Sequence, residues 1–318
     1  MAPIGDPAQT SGGIPVPDAV PTVAYNAVTV PVDGRLVALN VRVTAPVHGD
    51  GLPILILSHG HGPSTFVCSS YGYAPLVDFW AAHGFAVLQP VHNDATYLGL
   101  RDSGDADAPL FLAGRADDVR TVIDNLSLIE STANLAGRLD HSRIAAVGHS
   151  AGGHTIGLLS GMTGNVQPSA TIEKRIGARV MIGAPGSGPG MNGPAAKLYP
   201  SIAGTNFESM APETLVVTGD NDHHAFFSDC KTWRREAFDH APGPKTLFYM
   251  VDAGHSFGGI AGFDAKETTD ENPERVAVLR ASIWAYLRSQ LYKGDASWDN
   301  AIAALAKQTP TIARVETK

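Results

Sequence analysis

The segment Gly148-His149-Ser150-Ala151-Gly152-Gly153 is the sharpest chemical feature of the sequence. It follows an apolar run, Ile144–Val147, and precedes a helical pattern over Ala151–Met162. That strand–turn–helix context is what a G-x-S-x-G motif needs to act as a nucleophile turn. The chain must reverse in so few residues that the serine takes a strained backbone conformation. Glycines on either side let strand and helix approach, and Ser150 Oγ then stands exposed at the carboxyl edge of a sheet. A hydroxyl placed this way can attack an acyl carbon once a base removes its proton.

In this arrangement the chain order runs serine, acid, histidine. After Ser150 the histidines are His154, His223, His224, His240 and His255. His154 is too close in sequence to fold back on Ser150. His255, in Ala253-Gly254-His255-Ser256-Phe257, lies just past the apolar run Leu247–Val251, where a loop can bring it over the serine. The acid should end an earlier strand, and Leu215-Val216-Val217-Thr218-Gly219-Asp220-Asn221-Asp222 supplies it. Asp222 is the first choice, Asp220 the second and Asp252 a third. An oxyanion needs two backbone N–H donors. Ala151, next to the serine, offers one, and His61, in Ser58-His59-Gly60-His61-Gly62 after the run Ile54–Leu57, offers the other.

Taken together, the strand followed by Ser58-His59-Gly60, the segment Gly148–Gly153, Gly219-x-x-Asp222 and Gly254-His255 resemble the α/β-hydrolase superfamily. The likeness is to the branch of chlorophyllases, platelet-activating-factor acetylhydrolases, dienelactone hydrolase-like proteins and bacterial cutinase-like polyester hydrolases. The resemblance implies a mainly parallel eight-stranded sheet with helices on both faces and no large separate cap domain. It implies hydrolysis of carboxylic esters, small or polymeric, by Ser150, His255 and Asp222 through an acyl-enzyme, without a cofactor. The preference for esters over amides comes from the resemblance alone, since the three residues serve both. Phe66, Tyr71, Tyr97, Phe226, Phe227 and Phe257 follow the site positions closely and are the candidate substrate walls. Short- to medium-chain esters are the expected substrates.

The positioning elements are legible as alternating strands and helices, which imply crossover units around a parallel sheet. Thr22–Val32 and Arg35–Ala45 read as a hairpin turning at Asp33-Gly34. Runs at Ala86–Gln89, Val180–Ile182 and Thr246–Val251 complete eight strands. Helical patterns cover Tyr73–His83, Ala116–Ile129, Pro273–Tyr292 and Ser297–Lys307, with Asn272 as an N-cap. The stretches Val91–Arg115 and Gly186–Glu213 are long and irregular, as functional loops are. The expected organisation is a loose arm over residues 1–25, rich in Pro, Gly, Ala and Ser, and one domain over 26–318. The arm lacks a signal-peptide pattern. Both a cytoplasmic protein and an exported one stripped of its leader fit it.

At 318 residues, with 44% hydrophobic and 17% charged residues, the chain is rich enough in apolar residues to build a large core. A net charge of −8 gives no basic footprint for nucleic acid or for an acidic membrane surface. No apolar run is long enough to span a bilayer. Two cysteines, Cys68 and Cys230, exclude a disulfide scaffold, and free thiols are expected, with a bridge as the alternative. Two rival functions are a non-catalytic ligand receptor and a metal-dependent hydrolase using His59, His61, His223 and His224. The H-x-H pair lacks the companions such a metal site needs, and no H-E-x-x-H is present.

Overall fold

Continuous apolar runs such as Leu52–Ser58, buried along its whole length, are the signature of strands covered on both faces, and the architecture follows from them. The computed structural model describes residues 11–318. In chain order these form β1 (Thr22–Val30), β2 (Leu39–Pro46), β3 (Leu52–Ser58), α1 (Ala74–Ala82), β4 (Ala86–Pro90), α2 (Leu112–Asp124), α3 (Leu126–Thr132), β5 (Leu139–His149) and α4 (Ala151–Leu159). There follow β6 (Ile176–Ile182), α5 (Gly193–Leu198), α6 (Pro200–Ala203), β7 (Thr214–Asn221), α7 (Glu236–His240), β8 (Lys245–Gly254), α8 (Pro273–Leu291), α9 (Ser297–Leu305) and β9 (Ala313–Thr317).

All nine strands join one sheet in the order β1-β2-β4-β3-β5-β6-β7-β8-β9. The strands from β4 to β8 pair in parallel, while β1, β2 and β9 are antiparallel at the two edges. The eight expected strands are therefore nine in a mixed sheet. The ninth, Ala-Arg-Val-Glu-Thr, buries only Ala313 and pairs along β8 at the edge. It has too little apolar character to be recognised from sequence.

Alternate side chains leave opposite faces of each strand. On one face Leu55, Leu57, Val147, Val180 and Val217 meet α1 and α8 through Leu76, Phe79, Trp80, Leu279 and Ile283. On the other, Ile54, Ile56, Ala146, Met181 and Val216 meet α2, α3 and α4 through Val119, Val122, Ile129 and Ile156. The Asn272 side chain accepts the Arg275 N–H at 2.9 Å and starts α8 as expected. The helix expected over Ala116–Ile129 is two helices, broken at Asn125.

Two expectations at the N-terminal end change. Residues 1–10 of the anticipated loose arm lie outside the described residues. Beyond them Ile14 is 1% exposed and part of the core, and β1 already begins at Thr22, so the arm does not extend to residue 25. The hairpin does not turn tightly at Asp33-Gly34 either; residues 31–38 form the connection. Arg35 draws it open, because its guanidinium is committed to Asp118 at 2.8 Å and to the Val37 and Val91 carbonyls. No helix among the described residues is long and apolar enough to cross a membrane.

Candidate active site

Ser150 joins β5 directly to α4 with φ 55° and ψ −117°. A residue with a Cβ reaches this left-handed region only under strain, which the surrounding packing must sustain. Gly148 and Gly152 make the turn possible. A methyl group on Gly148 would overlap the Gly152 carbonyl, and one on Gly152 would overlap the Ser58 carbonyl at the end of β3. The strained turn thus lies against the neighbouring central strand.

The site residues taken from the sequence as nucleophile, base and acid meet here. Ser150 Oγ lies 3.0 Å from His255 Nε2, and His255 Nδ1 lies 2.7 Å from Asp222 Oδ1. A carboxylate facing Nδ1 fixes the proton there and leaves Nε2 to accept from the serine hydroxyl. The irregular register of β7 against β8 between Gly219 and Asn221 ends the strand and lets Asp222 turn under the histidine. Asp222 is fully buried, and Arg234 Nε stands 3.0 Å from the same oxygen. Burial alone would raise the Asp222 carboxyl. The charges of Arg234 and His255 and the bond to His255 outweigh it and hold the acid below its usual range. Asp220 instead accepts the Asp252 N–H at 3.0 Å, away from the histidine, and neither of these alternative acids joins the relay.

His255 is itself held from behind. The His149 ring lies 4.8 Å from it, and His149 Nε2–H donates to the His255 carbonyl at 3.0 Å. With Nε2 carrying the proton, His149 Nδ1 accepts from the Tyr73 hydroxyl at 2.9 Å. Burial first, then the proximity of His255, pushes His149 down to about 3, so it remains a neutral strut. For His255 enclosure in the cavity and the Arg234 cation lower the value, against the pull of Asp222.

The loop after β3 is set by Arg115, a residue sequence reasoning did not single out. Its fully buried guanidinium donates to the His59 carbonyl at 2.7 Å and the Gly60 carbonyl at 3.1 Å, and pairs with Asp94 at 2.6 Å. In a planar trans peptide the N–H points opposite to the carbonyl. Holding Gly60 O inward therefore turns the His61 N–H outward, and that N–H meets no acceptor among the described residues. Ala151, first in α4, has no intrahelical acceptor for its own N–H. A signal for Arg115 existed: it lies one turn before Val119 on the apolar stripe of α2, where a charge is out of phase unless it is buried with partners.

A second serine–histidine–aspartate series lies behind this loop. Ser58 Oγ is 2.9 Å from His92 Nε2, and His92 Nδ1 is 2.8 Å from Asp118. Ser58 and His92 are fully buried, and Ser58 lines no cavity around Ser150. It braces the loop and cannot receive a substrate. His59 is likewise committed, donating from Nδ1 to the Gly60 carbonyl and accepting the His92 N–H at Nε2. Among the described residues no three His, Cys, Asp or Glu side chains converge to hold a metal ion.

A cavity of about 650 Å³ opens over Ser150, Ala151 and His255, within the usual size for a small-molecule site. Of the six expected wall residues only Phe227 lines it. Phe66, Tyr71, Tyr97 and Phe226 are exposed aromatics outside the cavity. Phe257 is fully buried and packs edge-on against His149. Adjacency in sequence to a site residue did not translate into adjacency to the cavity. Sequence reasoning missed the apolar walls Leu110, Tyr199, Ile202 and Trp233 and the polar ones Asn221, Glu267, Thr269 and Asp270, while His223 and His224, considered as metal ligands, also line the cavity. Tyr199 and Ile202 lie within the stretch 186–213, whose length marked it as functional but whose short helices α5 and α6 gave no pattern. Cys68 is buried and Cys230 exposed, and both are free.

No known family model matches this chain, and no curated protein matches it either.

Proposed function

We propose that this chain is a serine hydrolase of carboxylic esters, built on an α/β-hydrolase plan. The observation that carries the reading is the relay Asp222–His255–Ser150 ending in a strained serine at the floor of an open cavity. His255 Nε2 takes the proton of Ser150 as Oγ bonds to the ester carbonyl carbon. The carbonyl π electrons move onto oxygen, which the Ala151 and His61 amides receive. The carbonyl re-forms as the bond to the alkoxy oxygen breaks, and His255 returns its proton to that oxygen, releasing the alcohol. Water then repeats the sequence on the acyl-serine, freeing the acid and restoring Ser150. Each amide donor is typically worth about 10²–10³ in rate.

The direct test is a fluorophosphonate with peptide mapping, beside a panel of p-nitrophenyl esters of rising chain length. Label should enter Ser150 and spare Ser58, whose hydroxyl is bonded to His92 but buried. Label on Ser58, or none on Ser150 together with no ester turnover, would sink the reading and favour a ligand receptor.

The acyl panel also tests the cavity. Phe227 stacks between Trp233 at 6.2 Å and Tyr199 at 5.7 Å. In Phe227→Ala each acyl methylene that loses contact forfeits up to about 0.8 kcal/mol, roughly fourfold per carbon. The chain-length profile should flatten, whereas Phe66→Ala should leave it unchanged; a Phe66 effect as large as that of Phe227 would displace the acyl site.

The pH profile of kcat/KM follows from the lowered His255. The base works when neutral, so a lowered value extends activity to more acidic solution, with the acid limb below about pH 6.5, the ordinary histidine value. Arg234→Met removes a cation that lowers His255, so the limb should move to higher pH. An unmoved or lower midpoint would remove Arg234 from the control of the base.

A further inference from the structure

The cavity over Ser150 has two walls of opposite character. Leu110, Ala151, Ile202 and Trp233 form one apolar cluster, with Tyr199 and Phe227 packed on it. The polar lining includes His61, Asn221, His223, His224, Asp252, Glu267, Thr269 and Asp270, of which His224 packs edge-on against Phe227. These polar residues are contiguous with the base: Asp270 accepts the Gly254 N–H and the Ser256 hydroxyl on either side of His255, and Asn221 pairs with Gly254 in the sheet.

The chemistry assigns the walls. An apolar acyl chain is buried best along the cluster of Leu110, Ile202 and Trp233, beside Ala151. His255 must protonate the leaving oxygen, so the alcohol lies along the wall that carries His255.

That second wall is rich in acceptors: His61 and the carboxylates of Asp252, Glu267 and Asp270 all line it. Arg234, the guanidinium lining the cavity, donates to the Gly183 carbonyl and stands 3.0 Å from Asp222. The Asp252 carboxylate makes no hydrogen bond among the described residues. Glu267 accepts from Ser64 N and Oγ and still lines the cavity. His61 is the most defined acceptor. Its Nδ1–H is bound to the fully buried Asp94 at 2.8 Å, while its side chain is 22% exposed. The edge open to the cavity is therefore the Nε2 edge, which in the neutral imidazole is a lone pair without a protein donor.

Resting on the ester-hydrolase reading, we infer that the preferred substrates join an apolar acyl group to a hydroxylated alcohol whose O–H groups donate to His61 Nε2 and the neighbouring carboxylates. His61 acts twice: its backbone N–H faces the oxyanion, and its imidazole selects the alcohol.

The experiment compares propyl butanoate with 2,3-dihydroxypropyl butanoate. Acyl group and carbon count are identical, and only two hydroxyls differ. The ratio of kcat/KM values is divided by the ratio of alkaline hydrolysis rates, which removes intrinsic reactivity. One net hydrogen bond corresponds to about threefold to tenfold, so the corrected ratio should be on the order of tenfold. In His61→Leu, which keeps the backbone N–H, the ratio should fall by at least about threefold, and His61→Gln, which restores an acceptor, should recover part of it. A corrected ratio at or below one, or a ratio that His61→Leu leaves unchanged, overturns the inference. Turnover of propyl butanoate that Ser150→Ala abolishes would, in that case, leave the hydrolase reading standing. Failure to turn over either ester ends both.

Discussion

Ser150→Ala should reduce kcat on any p-nitrophenyl ester by about 10⁶, as loss of the nucleophile does in serine proteases. The only side-chain bond lost is the one to His255 at 3.0 Å. Alanine has the same Cβ as serine, so the turn at φ 55° carries the same strain and the fold should survive. The melting temperature should stay within a few degrees of the parent. What remains after the substitution is substrate binding and oxyanion stabilisation, which together still exceed the uncatalysed rate. Ser58→Ala is the matched control. Its hydroxyl sits in a relay of similar distances, 2.9 Å to His92 and 2.8 Å from His92 to Asp118, yet it is sealed. That substitution should lower stability and leave kcat within about tenfold, because its penalty is a lost buried hydrogen bond. Comparable turnover by Ser150→Ala and its parent would end the hydrolase proposal. A collapse of kcat in a fully folded Ser58→Ala would show that distance patterns alone had selected the wrong serine.

The contrast between Ser150 and Ser58 marks what the sequence could disclose. Glycine spacing around Ser150 encodes a backbone conformation, and conformation is local, so residues 148–153 announced the turn. His255 and Asp222 were legible because each follows a continuous apolar strand, and strand ends in a parallel sheet gather at one edge. The relay behind Ser58 joins β3, the loop after β4 and α2, and nothing local announces it. The same holds for Arg115, whose partners Asp94, His59 and Gly60 come from two separate loops. The cavity walls were the least legible. An exposed phenylalanine and a wall phenylalanine look alike in sequence, and here five of six aromatic candidates fall outside the cavity while Leu110, Ile202 and Trp233 line it. The sheet was readable where burial is two-sided and failed at its polar edge, where β9 pairs.

Asp222→Asn should lower kcat by about 10⁴ with little change in KM. The carboxylate accepts from His255 Nδ1–H at 2.7 Å, which leaves Nε2 unprotonated toward Ser150. An asparagine amide can turn its NH₂ to the same nitrogen. The proton then moves to Nε2, the imidazole can no longer accept from the serine, and the imidazolium of the transition state loses its counter-charge. A second consequence is structural. Asp222 is fully buried, and Arg234, 5% exposed, stands 3.0 Å from it. Removing one partner of such a pair typically costs about 3–5 kcal/mol, so the variant should melt at clearly lower temperature. Lost stability and lost chemistry are separated by assaying well below that melting point and by adding Arg234→Met. The double variant should regain part of the stability, since it no longer buries an uncompensated cation, and none of the kcat. Asp220→Asn and Asp252→Asn should each stay within about tenfold of the parent in kcat, because Asp220 bonds the Asp252 N–H at 3.0 Å and the Tyr249 side chain, and neither acid makes a hydrogen bond to His255. Recovery of kcat together with stability in the double variant would reassign Asp222 from orienting the base to balancing Arg234.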